Sequence, residues 1–168
     1  MRMAAILGDR RTELIDGQII EMAPIGTPHM LVVTRLQRRL GPFNQAGRLL
    51  VQQPIVLDDY NEPQPDLVVL HEPLGQQKPS ARDCLAIIEV ADSTYATDVA
   101  IKLPAYLEAS AASVWIVNIS NRADPVVEVW TPGSTQPILE RTAVRLADAT
   151  ISLGDVFEGL QDMSPERQ

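Results

Sequence analysis

"EPQPDLVVL", residues 62–70, and "CLAIIEVADST", residues 84–94, are two apolar runs of strand length, and each carries one carboxylate. Asp66 stands at the mouth of the first and Glu89 interrupts the second. Taken alone, Asp66 reads as the end of a loop, because Pro and Asp form turns and the residues after it make a short buried strand. The second run changes that reading. A charge is rarely buried without a partner. Two neighbouring strands that each give a position to a carboxylate bring like charges within a few ångströms, which is costly unless a cation or a shared proton lies between them. The pair of runs therefore suggests a central sheet with a metal site at its edge.

Around these strands the chain alternates sheet and helix signals. "TELIDGQIIEM" is a hairpin candidate, with Asp16-Gly17 as a two-residue type I′ turn and Glu13 and Glu21 near its ends. "TPHMLVVTRLQRRLGP" predicts a helix with Thr27 as N-cap, Pro28 and His29 in the first turn, and Gly41-Pro42 as the stop. "RLLVQQPIVL", "PDLVVL" and "CLAIIEV" follow as strands, then "YATDVAIKLPAYLEASAAS" as a second helix with Val99, Leu103 and Leu107 at a four-residue repeat. Pro104 is discordant within that helix and predicts a kink or a late start. "VWIVNI" and "VVEVW" are further strands, "PILERTAVRL" is a weaker one, and "ISLGDVF" is a short terminal element. The order predicts an α/β fold with a mixed sheet flanked by helices and an N-terminal β-hairpin.

Length and composition bound the function. The 168 residues suit one domain, 1–168, with its core over about 12–157. Hydrophobic residues make up 45% and charged residues 21%, which is ordinary globular composition. No apolar stretch approaches the roughly 18 residues of a membrane span, and the apolar part of "MRMAAILGDRR" is short for a signal sequence. The expected compartment is the cytoplasm. The single cysteine, Cys84, excludes an internal disulfide framework and a thiolate-rich zinc site, and reads as a small buried hydrophobe. The net charge of -8 argues against non-specific binding of phosphate backbones, so nucleic-acid contact must be local. Arg35, Arg38 and Arg39 form the best basic cluster, opposite Val32, Leu36 and Leu40 on the first helix, and equally fit a solvated helix face.

Alternation along residues 84–90 puts Leu85, Ile87, Glu89 and Ala91 on one face of the strand. A nuclease strand of the pattern acidic-x-Lys would carry lysine where Ala91 stands. The nearest lysine is Lys102, which reaches the site only if its helix packs the N-terminal half over the strand ends. Otherwise it pairs with Asp98, four residues before it, on the surface.

Taken together, "PDLVVL", "IIEVADST", "YATDVAIKLPAYLEA" and "VWIVNI", with "ELIDGQIIEM" and "ISLGDVF", resemble the Uma-type family of bacterial putative restriction endonucleases. That family is a branch of the PD-(D/E)xK nuclease superfamily, and the likeness runs from Glu13 to Phe157 in motif order. The resemblance implies a restriction-endonuclease-like core in which Asp66 is the Asp of the PD motif and Glu89 the second acidic ligand. Lys102 stands in for the lysine missing at Ala91, and Glu13 is the upstream acidic residue. It also implies a cytosolic phosphodiesterase that acts on DNA with a divalent metal, often as a homodimer.

The chemistry of these residue types fits that implication. Asp66 and Glu89 are hard oxygen ligands suited to Mg2+, with Mn2+ as the substitute. Lys102 would orient the attacking water and offset developing charge. Glu13 fits a third ligand or a supporting acid, and equally a solvated carboxylate. His29 could contact metal-bound water or phosphate, though a lone histidine more often packs or caps, and Tyr106, one turn after Lys102, lines the core or the site edge. His71 carries no signal, and Trp115 and Trp130 read as core. Two other functions remain open on sequence. One is a catalytically silent nuclease-fold module that binds nucleic acid or a protein partner. The other is a metal-independent acid/base hydrolase using Asp66 and Glu89 as a carboxylate pair, which leaves Lys102 without a role.

Overall fold

In the computed structural model, residues 11–22 and 24–163 are described. The N-terminal hairpin pairs β1, Thr12–Ile15, with β2, Gln18–Glu21. Its turn has Asp16 at φ 49° and Gly17 at φ 71°, the two left-handed residues that a type I′ turn requires. Helix α1, Thr27–Arg39, begins one residue earlier than the Thr27 N-cap expectation: Gly26 is the capping position and Thr27 is already helical. Gly41-Pro42 ends α1 without ending helical structure. Pro42 opens a second short helix, α2, Gly41–Gln45, because proline's fixed φ and missing N–H suit a first turn as well as a stop.

The sheet has six strands in the order β3, Leu49–Val51; β4, Leu67–Leu70; β5, Cys84–Ala91; β6, Val114–Asn118; β7, Val126–Trp130; β8, Ile138–Glu140. Neighbours are antiparallel except β5 and β6, which run parallel. Their crossover is the predicted second helix: α3, Tyr95–Thr97, a π turn, Asp98–Lys102, and α4, Leu103–Glu108. The irregularity that Pro104 predicts is thus a widened turn just before it. "PILERTAVRL" divides between β8 and β9, Ala143–Leu146, and β9 pairs with β10, Ala149–Ser152, ahead of α5, Gly154–Phe157.

Two cores cover the two sheet faces. On one, Val32 and Leu36 of α1 and Leu40 just after it pack with Ile88, Val90, Trp115 and the C-terminal Val144, Ile151 and Val156. On the other, Leu103 and Tyr106 of α4 pack with Ile87, Ala91, Val114 and Ile116. Burial on both faces is why β4 and β5 read as near-continuous apolar runs. Leu85 departs from the alternation expected for β5. Val69 pairs with Ala86 but Leu70 with Cys84, so Leu85 is the extra residue of a bulge and packs with the α1 face. Ile87, Glu89 and Ala91 lie beyond the bulge and keep their common face.

The basic cluster on α1 is largely engaged with the C-terminal segment. Arg35 Nη1 donates to the carbonyls of Val156 and Glu158 at 3.2 and 2.6 Å, and Arg39 pairs with Asp155, while Arg38 is exposed. Cys84 is buried, and desolvation pushes its thiol up to about 12, so it is an inert core residue. No helix among the described residues is long and apolar enough to cross a membrane.

Candidate active site

Continuing the β4–β5 register one step past the Leu67–Ile88 pair brings Asp66 opposite Glu89. Asp66 ends the ladder with its side chain: Oδ2 accepts the Val90 backbone N–H at 2.9 Å. The same oxygen accepts a 2.8 Å hydrogen bond from His29 Nε2, which the first turn of α1 brings in. His29 Nδ1 is buried and without a hydrogen-bond partner among the described residues.

Glu89 faces the other helix. Tyr106 donates to its Oε1 at 2.6 Å and Lys102 Nζ lies 3.4 Å from the same oxygen. Lys102 is closest to Glu13 Oε1, at 3.1 Å, and farthest from Asp98 Oδ1, at 3.8 Å. The surface pair with Asp98 is therefore the weakest of its contacts, and Lys102 itself is buried. Glu13 reaches the cluster because the hairpin is clipped to the chain before Asp66: Leu14 and Glu62 exchange backbone hydrogen bonds of 3.3 and 2.9 Å, and Glu13 Oε2 accepts the Gln64 N–H at 3.3 Å. Asp98 is fixed by Thr94, whose hydroxyl donates to Oδ2 at 2.6 Å.

Glu13, Asp66, Glu89 and Asp98 are all buried, and Lys102 is the ammonium buried with them. The Glu89 carboxyl is raised to about 8: burial pushes it up most, Lys102 pulls it down, Asp66 and Asp98 raise it, and the Tyr106 hydrogen bond lowers it. Asp98 is raised by burial too, against the pull of Thr94 and Lys102. Burial alone would lower Lys102, but Glu89, Glu13 and Asp98 overcome it, so the ammonium keeps its proton. Burial and the adjoining Glu89 raise the Tyr106 phenol well above its ordinary value, which keeps it a donor. At neutral pH the cluster thus holds a proton where a cation would otherwise balance it.

The donor set suits a hard divalent cation on chemical grounds, through the carboxylates of Asp66 and Glu89, which lie near enough for Asp66 to raise Glu89. Among the described residues Asp66 Oδ1 has only a 3.5 Å contact, from Gln52 Nε2, and Tyr106 and Lys102 both address Oε1 of Glu89. Among the described residues no three His, Cys, Asp or Glu side chains form a ready cage for a metal. A cleft lined by Asp16, Leu57, Arg82 and Glu108 lies apart from these residues.

A family model described as "Uma2: Putative restriction endonuclease" matches residues 2–166. The chain belongs to the Uma2 family. A crystal structure titled as a putative nuclease belonging to DUF820, from Anabaena variabilis, is similar over 91% of this chain and 93% of that one, with a TM-score of 0.68 at 15% identity. At that identity the likeness is one of fold. No curated protein matches the chain.

Within this Uma2 chain, sequence reasoning missed Gln52, Thr94 and a further buried acid, Glu128. Glu128 breaks the apolar run "VVEVW" as Glu89 breaks its own, so the same signal was present there. It lies opposite Ile116, which lies opposite Glu89, and it accepts hydrogen bonds from Tyr95 at 2.9 Å and Asn118 at 3.2 Å. Thr94 follows Asp92 and Ser93 in what reads as an ordinary helix start, and Gln52 carries no charge to draw attention.

Proposed function

We propose that this Uma2 protein is a metal-dependent endonuclease that hydrolyses phosphodiester bonds in DNA. The observation that supports it most is the company of Lys102: Nζ lies 3.1 Å from Glu13 and 3.4 Å from Glu89, inside a buried group with more carboxylates than cations. A purely structural ion pair needs one acid for one base. The excess of anionic oxygen beside a retained ammonium is the arrangement expected where a cation and a phosphate are to be received together.

Asp66 and Glu89 would hold the ion, Mg2+ or Mn2+ in its place. Magnesium takes one or two carboxylates and keeps several waters, so a cage of three side chains is not needed. When bound, the ion supplies Lewis-acid polarisation of the phosphate and a more acidic water. This chain's residues then have separable tasks. His29 and the Val90 amide fix Asp66, and Tyr106 fixes Glu89. Lys102, kept protonated by its neighbours, orients the attacking water and offsets charge that develops on phosphate oxygens. Glu13 and Asp98 hold the lysine ammonium in place. Because duplex cleavage needs two cuts and the Asp66 and Glu89 site makes one, the working unit is a homodimer, the commonest closed assembly; sedimentation with only monomer at micromolar concentration would count against this.

The test is incubation of supercoiled, linear and single-stranded DNA with Mg2+, Mn2+ or chelator, beside an Asp66→Ala control. Cleavage that requires the metal and is lost in the control is expected. Metal-independent cleavage would point to the carboxylate-pair hydrolase. DNA binding without cleavage under any metal would leave a silent nuclease-fold module.

A further inference from the structure

Among the described residues four non-glycines adopt positive φ: Asp16, Gln52, Ser110 and Ala147. Asp16 makes the hairpin turn, Ala147 lies in the turn between β9 and β10, and Ser110 lies in the turn that follows α4. Gln52, at φ 50°, is the one that touches the site. It follows β3, its N–H donates to the Asp66 carbonyl at 2.9 Å, and its Nε2 lies 3.5 Å from Asp66 Oδ1. A side chain in this conformation strains the backbone, and glycine would relieve it. A hydrogen bond at 3.5 Å is too long to offset that strain in the resting protein. Backbone strain of this kind collects where a side chain must be held in one place for function.

We propose that Gln52 is a positioning residue for the hydrolysis: its carboxamide fixes where Oδ1 of Asp66 points, completing the hold that His29 and the Val90 amide have on Oδ2. This rests on the function proposed above. Oδ2 of Asp66 is committed to His29 and to the Val90 amide, so Oδ1 is the oxygen left to serve the reaction. Gln52 is the residue placed beside Oδ1, and it is half-buried, with one edge toward solvent. A neutral amide orients the carboxylate without neutralising it, which a lysine or arginine at position 52 would do.

The test uses Gln52→Gly and Gln52→Ala in the full chain, read three ways. The first is the Val90 amide resonance in metal-free protein, which reports the hydrogen bond to Asp66 directly. The second is thermal melting, and the third is cleavage with Mg2+. Both variants are expected to shift the Val90 resonance and to lower kcat by about 10- to 100-fold, the usual loss when support for an active carboxylate is removed, with KM little changed. Gln52→Gly alone should melt about 2–4 °C higher, through relief of strain. A more stable variant that cleaves less well is not what a turn-forming role predicts. An unmoved Val90 resonance in Gln52→Ala overturns the proposal, as does wild-type kcat in that variant. If the wild-type protein cleaves nothing, the function proposed above fails, while the Val90 resonance still decides whether Gln52 orients Asp66.

Discussion

Tyr106 donates a 2.6 Å hydrogen bond to Glu89 Oε1, the oxygen that Lys102 also approaches. Two donors one helical turn apart therefore converge on one carboxylate oxygen. The phenol stabilises the ionised form of a fully buried acid, the form that a cation requires. Tyr106→Phe should raise the Glu89 carboxyl further above about 8 and weaken Mg2+ binding by roughly 10- to 100-fold. Loss of the buried bond should also destabilise the protein by roughly 1–3 kcal/mol. Carboxyl-carbon NMR of Glu89 and isothermal titration with Mg2+ read the first two effects, and a Glu89 titration unchanged in the variant would refute the assignment.

The raised Glu89 carboxyl makes metal-free stability depend on pH. Its ordinary value is 4.5 and its folded value about 8, so between these the folded state holds a proton that the unfolded state has lost. Stability rises with pH only where the unfolded state binds more protons; here the folded state does, so stability falls. The contribution is complete below about pH 4.5 and is lost as pH climbs through 8. Asp98, raised in the same sense, adds to the fall. In chelator, the melting temperature should decline from pH 5 to 9, and Glu89→Gln should flatten most of that slope. A variant slope equal to wild type would show that another group carries it.

The central strands and the crossover helix were legible because burial on both faces leaves long apolar runs, and an acid inside such a run stands out. Asp66 and Glu89 were visible for that reason; Glu128 bears the same mark and was passed over. What pattern could not supply is distance. The approach of Glu13 to Lys102 depends on the hairpin being clipped to residues 62–64, a contact between segments about fifty positions apart. The face of Leu85 depends on a bulge, which shifts the period of two by one residue without any mark in composition. Gln52 owes its place to a backbone conformation that no residue preference announces.

Lys102→Met separates charge from packing, since methionine keeps much of the apolar stem. Cleavage should fall by about two orders of magnitude or more. Stability should fall as well, because Glu13, Glu89 and Asp98 lose their shared cation. Removing one partner of a buried pair costs roughly 3–5 kcal/mol while the rest stay charged. The loss should shrink toward pH 5, where Glu89 holds its proton, and Glu13→Gln in the same chain should restore part of it. Denaturant titrations at pH 5 and 8 check both statements. Equal destabilisation at the two pH values would mean that lost packing, and not charge, is responsible.

Pro104 accounts for where Lys102 points. Leu103 N–H donates to the Asp98 carbonyl, five residues back, in place of the four-residue bond of an α-helix. Pro104 has no N–H to give, and in a regular helix its ring would crowd the carbonyl of Ala100. The widened turn removes that conflict and rotates the preceding residues by about 100° relative to those after it. Thr94 and Asp98 can thereby face the site from before the turn while Lys102 and Tyr106 meet Glu89 from its end and beyond. Pro104→Ala removes the reason for the wide turn and supplies the missing donor. The variant should melt at or above the wild-type temperature, show a protected amide at position 104 in hydrogen exchange, and lose roughly 10- to 100-fold in cleavage through misplacement of Lys102. Full activity combined with a protected amide at 104 would show that Lys102 reaches Glu89 without the π turn.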